Sequence, residues 1–319
     1  MPAWSSLFTL LAASAPQVLA SCAYGTHLHP RAEAGAFEEP KFGYNGIKGP
    51  VNWYSLDAAN AMCATGKNQS PINMAKGSFN LIPASELTLD IPDFTEGAEF
   101  ENLGTTVEII AEEAGGGSLE LGETSYELKQ FHFHLPSEHL DNGTSMAMEM
   151  HMVWQSAEED IAVIGVYIDL DDGATAAASA SAKIHHARGN KGKMEKRSAL
   201  EPRQSAATPS TVLETVLGSV DKIATPGATT HTEPLAMSEI VKLLTSGSFQ
   251  SYAGSLTTPP CSEGVKWLVS NKKVSISTST YLKARSVIGF NARYPQNAPG
   301  EENLLQLAAD AEDAHEGDD

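Results

Sequence analysis

Basic residues are scarce in this chain. Lys and Arg number 21 against 40 Asp and Glu, a formal net charge of -19 over 319 residues. A nucleic-acid partner needs a basic surface that displaces counterions from phosphates, so that class is excluded. Long apolar runs are missing beyond the N-terminus, which excludes a helical membrane span there. No internal repeat is visible, which sets repeat architectures aside. Cysteine is scarcest, with three residues, and Cys22 lies at the edge of a leader-like segment, leaving Cys63 and Cys261 as the pair inside the body of the chain. In an oxidising compartment these two would form a disulfide. The closed loop of about two hundred residues would then stabilise by about 4 to 5 kcal/mol in the chain-entropy account. The alternative is two buried free thiols.

What is present suffices for a substantial core, since 41% of residues are hydrophobic. The length alone allows one large or two ordinary domains. Strand-like runs occur at Leu87 to Ile91, Thr105 to Ala111, Tyr126 to His134, Met146 to Gln155, Ile161 to Asp169 and Val265 to Val269. Helical spacing appears at Ser210 to Lys222, with Ser210 or Thr211 as cap and Glu214 following, and at Ser238 to Thr245. Residues 173–209 form an Ala/Ser-rich and then basic stretch, containing His185, His186 and Lys196-Arg197, that reads as a mobile surface insertion. The acidic tail, residues 300–319, is expected to be disordered.

The chemistry concentrates in two phrases, Gln130-Phe131-His132-Phe133-His134 and Glu149-Met150-His151. Strand residues two apart face the same side, so His132 and His134 present imidazoles together. Pro136 and Asn142-Gly143 signal turns between the phrases, and a hairpin would return His151 to the first pair. Alone, a His-x-His pair is more often two surface residues than a ligand pair. Gln130 and Glu149 change that balance. Each lies two residues before a histidine, on its strand face, where it can accept the imidazole N–H not facing a metal. Three neutral protein ligands would leave the fourth tetrahedral position of Zn²⁺ open for water, the catalytic arrangement.

The N-terminus reads as a secretory leader over residues 1–20, with Leu7 to Ala13 apolar and Ala20 suited to cleavage before Ser21. No Lys or Arg precedes the apolar run, and the other reading is a hydrophobic helix that stays on the protein. Residues 21–41 would be an N-terminal extension. Secretion makes Asn142-Gly143-Thr144 a glycosylation acceptor in a turn; Asn68-Gln69-Ser70 is weaker, because Pro71 follows.

Further phrases stand in a telling order: Phe42-Gly43-Tyr44, Gly49-Pro50, Trp53, Asn68-Gln69-Ser70-Pro71-Ile72-Asn73, Gln130 to His139, Glu149 to Trp154, Leu256-Thr257-Thr258-Pro259-Pro260-Cys261 and Asn291-Ala292-Arg293. From about Phe42 to about Pro299 the chain resembles the alpha-class carbonic anhydrases of the secreted type. The resemblance implies one domain over residues 42–299. It would be mainly β with short peripheral helices, built on a large twisted, mostly antiparallel central sheet.

It also implies reversible hydration of carbon dioxide to bicarbonate and a proton by zinc-bound hydroxide, with His132, His134 and His151 as ligands. A bound-water pKa of about 7 is the value of carbonic anhydrase itself, the reference case for this effect. By motif, Thr257 would orient the nucleophile through Glu138, since an ionised carboxylate on one side of a hydroxyl forces it to accept on the other. Val153, Val163, Leu256, Val265 and Trp267 would form the apolar substrate wall, Thr258 would position bicarbonate, and Tyr44 would hold ordered water. Inhibition by sulfonamides and small anions is expected. In the family phrase Asn-x-Gly-His-Thr-Val, this chain has Asn102-Leu103-Gly104-Thr105-Thr106-Val107. Thr105 cannot titrate near neutrality, so proton export should be slow. Two other readings are a zinc-dependent esterase and a non-catalytic binding module. Nothing in the pattern specifies an oligomer.

Overall fold

The structure is a computed structural model that describes residues 37, 39–171 and 208–316. The expected leader, most of the extension and the insertion up to residue 207 lie outside the described residues. The strands are β1 (Asn73–Met74), β2 (Asn80–Pro83), β3 (Leu87–Asp90), β4 (Glu99–Asn102) and β5 (Val107–Ile110). They continue with β6 (Ser118–Leu121), β7 (Thr124–His134), β8 (Leu140–Asp141), β9 (Met148–Ser156) and β10 (Ile161–Leu170). The last four are β11 (Thr229–His231), β12 (Ser248–Ser255), β13 (Glu263–Ser270) and β14 (Val274–Ile276). Helices α1 (Trp53–Leu56), α2 (Met62–Thr65), α3 (Thr211–Gly218), α4 (Ser238–Thr245), α5 (Thr278–Ile288) and α6 (Leu304–Glu316) lie around them.

A 12-stranded sheet runs β11-β4-β5-β7-β9-β10-β13-β12-β2, with β14 beside β10 and the β3–β6 pair attached through β6 to β7. Its pairs are antiparallel except β10 with β13 and β10 with β14. β7 and β9 form the expected hairpin, and its tip is a tight turn in which Asp141 and Thr144 exchange both backbone bonds. Asn142 and Gly143 have φ of 50° and 78°, the left-handed pair such a turn requires.

The sheet divides the apolar residues between its two faces. One face holds Phe131, Phe133, Met150, Met152, Trp154 and Ile164 in a core shared with Val212, Leu213, Val216 and Leu217 of α3 and Ile240 and Leu244 of α4. Alternation along β7 and β9 puts the three histidines on the other face. Two-sided burial explains why β9 and β10 read as nearly continuous apolar runs rather than alternating ones.

Several boundaries differ from expectation. The strand expected from Thr105 starts at Val107, because Asn102 Oδ1 accepts from Gly104 N at 2.8 Å and Gly104 has φ of 78°, which turns the chain first. Ser210 caps α3 by accepting from Leu213 N, but the helix ends at Gly218 and one 3₁₀ turn, Val220–Ile223, follows. Glu214 does not close a capping box; its carboxylate accepts from Ser277 and Thr280 at the start of α5. The tail expected to be disordered is helical from Leu304 to Glu316. Its Leu- and Ala-rich start favours helix, Asn303 Oδ1 accepts from Leu305 N at 2.9 Å, and buried Asn303 Nδ2 donates to Gly66 O at 3.0 Å. Asn303 thereby ties the start of α6 to the Gly66 loop.

Candidate metal centre

Register brings the histidines together. His132 on β7 is the direct partner of His151 on β9, and His134 follows two residues on. All three are buried, and one ligand nitrogen from each lies within 4.8 Å of the others. His132 Nδ1–H donates to Gln130 Oε1 at 2.8 Å, and His134 Nδ1–H donates to the Asn291 carbonyl at 2.8 Å. His151 Nε2 lies 3.0 Å from Glu149 Oε1. The first two bonds fix the tautomers of His132 and His134, while the third is a close approach of the Glu149 carboxylate without hydrogen-bond geometry. The remaining nitrogens, His132 Nε2, His134 Nε2 and His151 Nδ1, are buried without a hydrogen-bond partner among the described residues. Leaving three polar atoms so costs stability unless something coordinates them, and three neutral imidazoles suit Zn²⁺. The residues fit such an ion.

Electrostatics agree with neutral ligands. Burial, and then the neighbouring His134 and His151, hold His132 far below the ordinary imidazole value. Burial also lowers His134, opposed by Glu138. For Glu149 burial alone would raise the carboxyl, yet His139 and His151 outweigh it and keep the group ionised. His139 Nδ1–H donates to Glu149 Oε1 at 2.7 Å, and the Tyr252 hydroxyl donates to His139 Nε2 at 2.7 Å. Gly165 is the partner of His151 on β10, where an added Cβ would meet Glu149 Oε1 at 2.9 Å, so the missing side chain makes room for the carboxylate.

Two partners were not assigned from sequence. The Asn291 carbonyl serves His134, and Asn291 Oδ1 accepts from Leu135 N at 2.7 Å. Arg293 N donates to Glu138 Oε1 at 2.8 Å, while its guanidinium bonds Gln69 Oε1 and Ser70 O. Burial brings that guanidinium down to about 10, still charged at neutral pH. The phrase Asn291-Ala292-Arg293 marked these residues, but a backbone carbonyl and a backbone amide carry no side-chain signature.

Thr257 and Glu138 are both buried at the centre. The bond expected between them is not formed: Thr257 Oγ1 and Glu138 Oε2 each lack a partner among the described residues. Pinning of Oε1 by Arg293 turns Oε2 toward the histidines, 3.5 Å from His134 Nε2 and 3.9 Å from His151 Nδ1. Thr258 is buried beside Thr257. Cys261 closes the same loop and is disulfide-bonded to Cys63. Tyr44 packs edge-on against Phe42 and Trp53. Thr105 is nearly buried in its turn, where its carbonyl accepts from Asn291 Nδ2 at 3.0 Å.

Two rows of register partners cross the face that carries the histidines. One runs Thr229, Glu101, Glu108, His132, His151, Gly165, Val269. The next runs Ile110, Gln130, Val153, Val163, Trp267, Tyr252. Val153, Val163, Leu256, Val265 and Trp267, the expected substrate wall, share one buried cluster.

A large, mostly antiparallel sheet thus carries on one face a buried cluster of three imidazoles that could hold a metal ion. Comparison with known proteins is specific. The sequence profile of eukaryotic-type carbonic anhydrases matches residues 48–303, and the chain belongs to that family. It is 29% identical over 257 residues to a carbonic anhydrase of Pectobacterium atrosepticum, covering 80% of this chain and 86% of the relative. It is 32% identical over 228 residues to alpha carbonic anhydrase 6 of Arabidopsis thaliana, covering 70% of each. Among solved structures, the fungal alpha carbonic anhydrase of Aspergillus oryzae aligns with a TM-score of 0.70 and 34% identity, over 85% of this chain and 99% of that one. The Thermovibrio ammonificans alpha carbonic anhydrase, in complex with the inhibitor sulfanilamide, aligns at 0.63 and 29%, over 82% and 97%.

Proposed function

We propose that the chain is a zinc carbonic anhydrase that interconverts carbon dioxide and bicarbonate. One observation carries this reading: three buried imidazoles converge with unpartnered nitrogens, on rings whose other nitrogen is bonded to Gln130 for His132 and Asn291 for His134 and lies 3.0 Å from Glu149 for His151. When bound, zinc supplies hydroxide near neutral pH by acidifying water at its open position, an effect for which carbonic anhydrase is the reference case.

The protein's own residues do the rest. Glu138, held at Oε1 by Arg293 N, keeps Oε2 free to accept from Thr257 Oγ1 once the metal is bound, a bond not made in this structure that would leave the hydroxyl lone pairs to orient the nucleophile. Val153, Val163, Leu256, Val265 and Trp267 shelter an uncharged substrate, and Thr258 positions the product. Thr105 stands where relatives carry a histidine that exports the proton, so regeneration is the slow step and external buffer sets its rate.

The disulfide and the apolar N-terminal run support secretion. Asn142 is exposed in its hairpin turn and suits glycosylation; half-buried Asn68 bonds Glu263 and does not. Stopped-flow hydration and zinc content measured on wild type and His132→Ala test the main reading. Both zinc and activity should fall to background in the variant, and the wild-type activity should be blocked by a sulfonamide. Retained hydration in His132→Ala would overturn it.

A further inference from the structure

The histidine row is asymmetric in charge. His132 is flanked in direct register by Glu108 on β5, and Glu108 by Glu101 on β4. Register partners in an antiparallel sheet point to the same face, so both carboxyl groups lie on the face that carries the metal ligands. Both are buried, with 0% and 3% exposure. On the opposite flank the row continues through Gly165 and Val269, and the neighbouring row through Val153, Val163, Trp267 and Tyr252, with no carboxyl in either row; Glu149, on the same face, is turned to His139 and His151.

The geometry points to Glu108, with Glu101 behind it, as specificity-determining residues that weaken the binding of anions at the metal position. The inference rests on the zinc reading above. Adjacent strands lie about 4.8 Å apart, which sets Glu108 one strand and Glu101 two strands from His132. A carboxylate at that range in a poorly hydrated wall repels an incoming anion, whereas an uncharged ligand feels no net Coulomb term. Carbon dioxide would enter unopposed, while bicarbonate and small inhibitory anions would be held less tightly. Apolar shelter and anion rejection would thus come from opposite ends of the same rows.

The test uses the zinc-loaded protein and calorimetric titration, which reads binding without turnover. Thiocyanate is the anionic probe and imidazole the neutral one, in wild type, Glu108→Gln and Glu101→Gln, each with zinc content measured first. The expected result is thiocyanate bound on the order of tenfold more tightly by Glu108→Gln and about threefold by Glu101→Gln, with imidazole unchanged. If Glu108→Gln fails to fold, Glu101→Gln decides. Unchanged thiocyanate affinity, or equal tightening of both probes, would overturn the inference. Wild type that retains no zinc would overturn the zinc reading itself and the inference with it.

Discussion

The two flanks of the histidine row share a sheet, a face and a register, yet differ in every property that matters to a ligand. On one side Val153, Val163 and Trp267 join Leu256 and Val265 in a buried apolar cluster. On the other stand Glu108 and Glu101. Transferring carbon dioxide to the apolar flank costs little, because it leaves no strong hydrogen bonds to water behind. The acidic flank offers the opposite environment. Polarity in this site is therefore laid out strand by strand, and the histidines sit on the seam.

That contrast can be broken at the seam itself. Glu149→Gln removes the ionised partner of both His139 and His151 and should lower zinc affinity by about 10- to 100-fold, read by competition with a chelator. The pH dependence is the next largest effect. In protein stripped of metal, His132 and His134 have folded pKa values below the ordinary 6.5, so the unfolded chain takes up protons first as pH falls. Stability should be flat above about pH 6.5 and drop below it, by up to roughly 1.4 kcal/mol per pH unit for each histidine, and urea midpoints across pH 5 to 8 check the sign.

On the apolar flank, Val163→Thr buries a hydroxyl in the cluster and should cost about 1–3 kcal/mol in thermal or urea unfolding, with a matching loss in kcat/KM for hydration. The smallest change is expected from Thr105→His, which should raise turnover only when buffer is dilute. An unchanged rate in the zinc-replete variant would show that residue 105 does not govern proton export.

The clustering of the three histidines and two of their neighbours was legible because strand periodicity places Gln130 beside His132 and Glu149 beside His151. The main strands were legible for the same reason. The third support was not, because His134 is held by a backbone carbonyl at Asn291, far along the chain. The acidic flank was also hidden: Glu101 and Glu108 each sit in short segments, and only the β4–β5–β7 pairing reveals that they line up with His132. The C-terminal acids suggested disorder, but net charge competes with the helix propensity of a Leu- and Ala-rich start, and α6 forms.

The 291–293 segment gives the site an order in time. His134 acquires its partner from a residue 157 positions later in the chain, and Glu138 is held by one 155 positions later. During synthesis the histidines emerge well before the residues that bond to His134 and Glu138. A nascent chain halted before Asn291 could pair β7 with β9, but it would have neither the tautomer of His134 nor the aim of Glu138 fixed. Competence for chemistry would arrive only as the last part of the sheet domain is made.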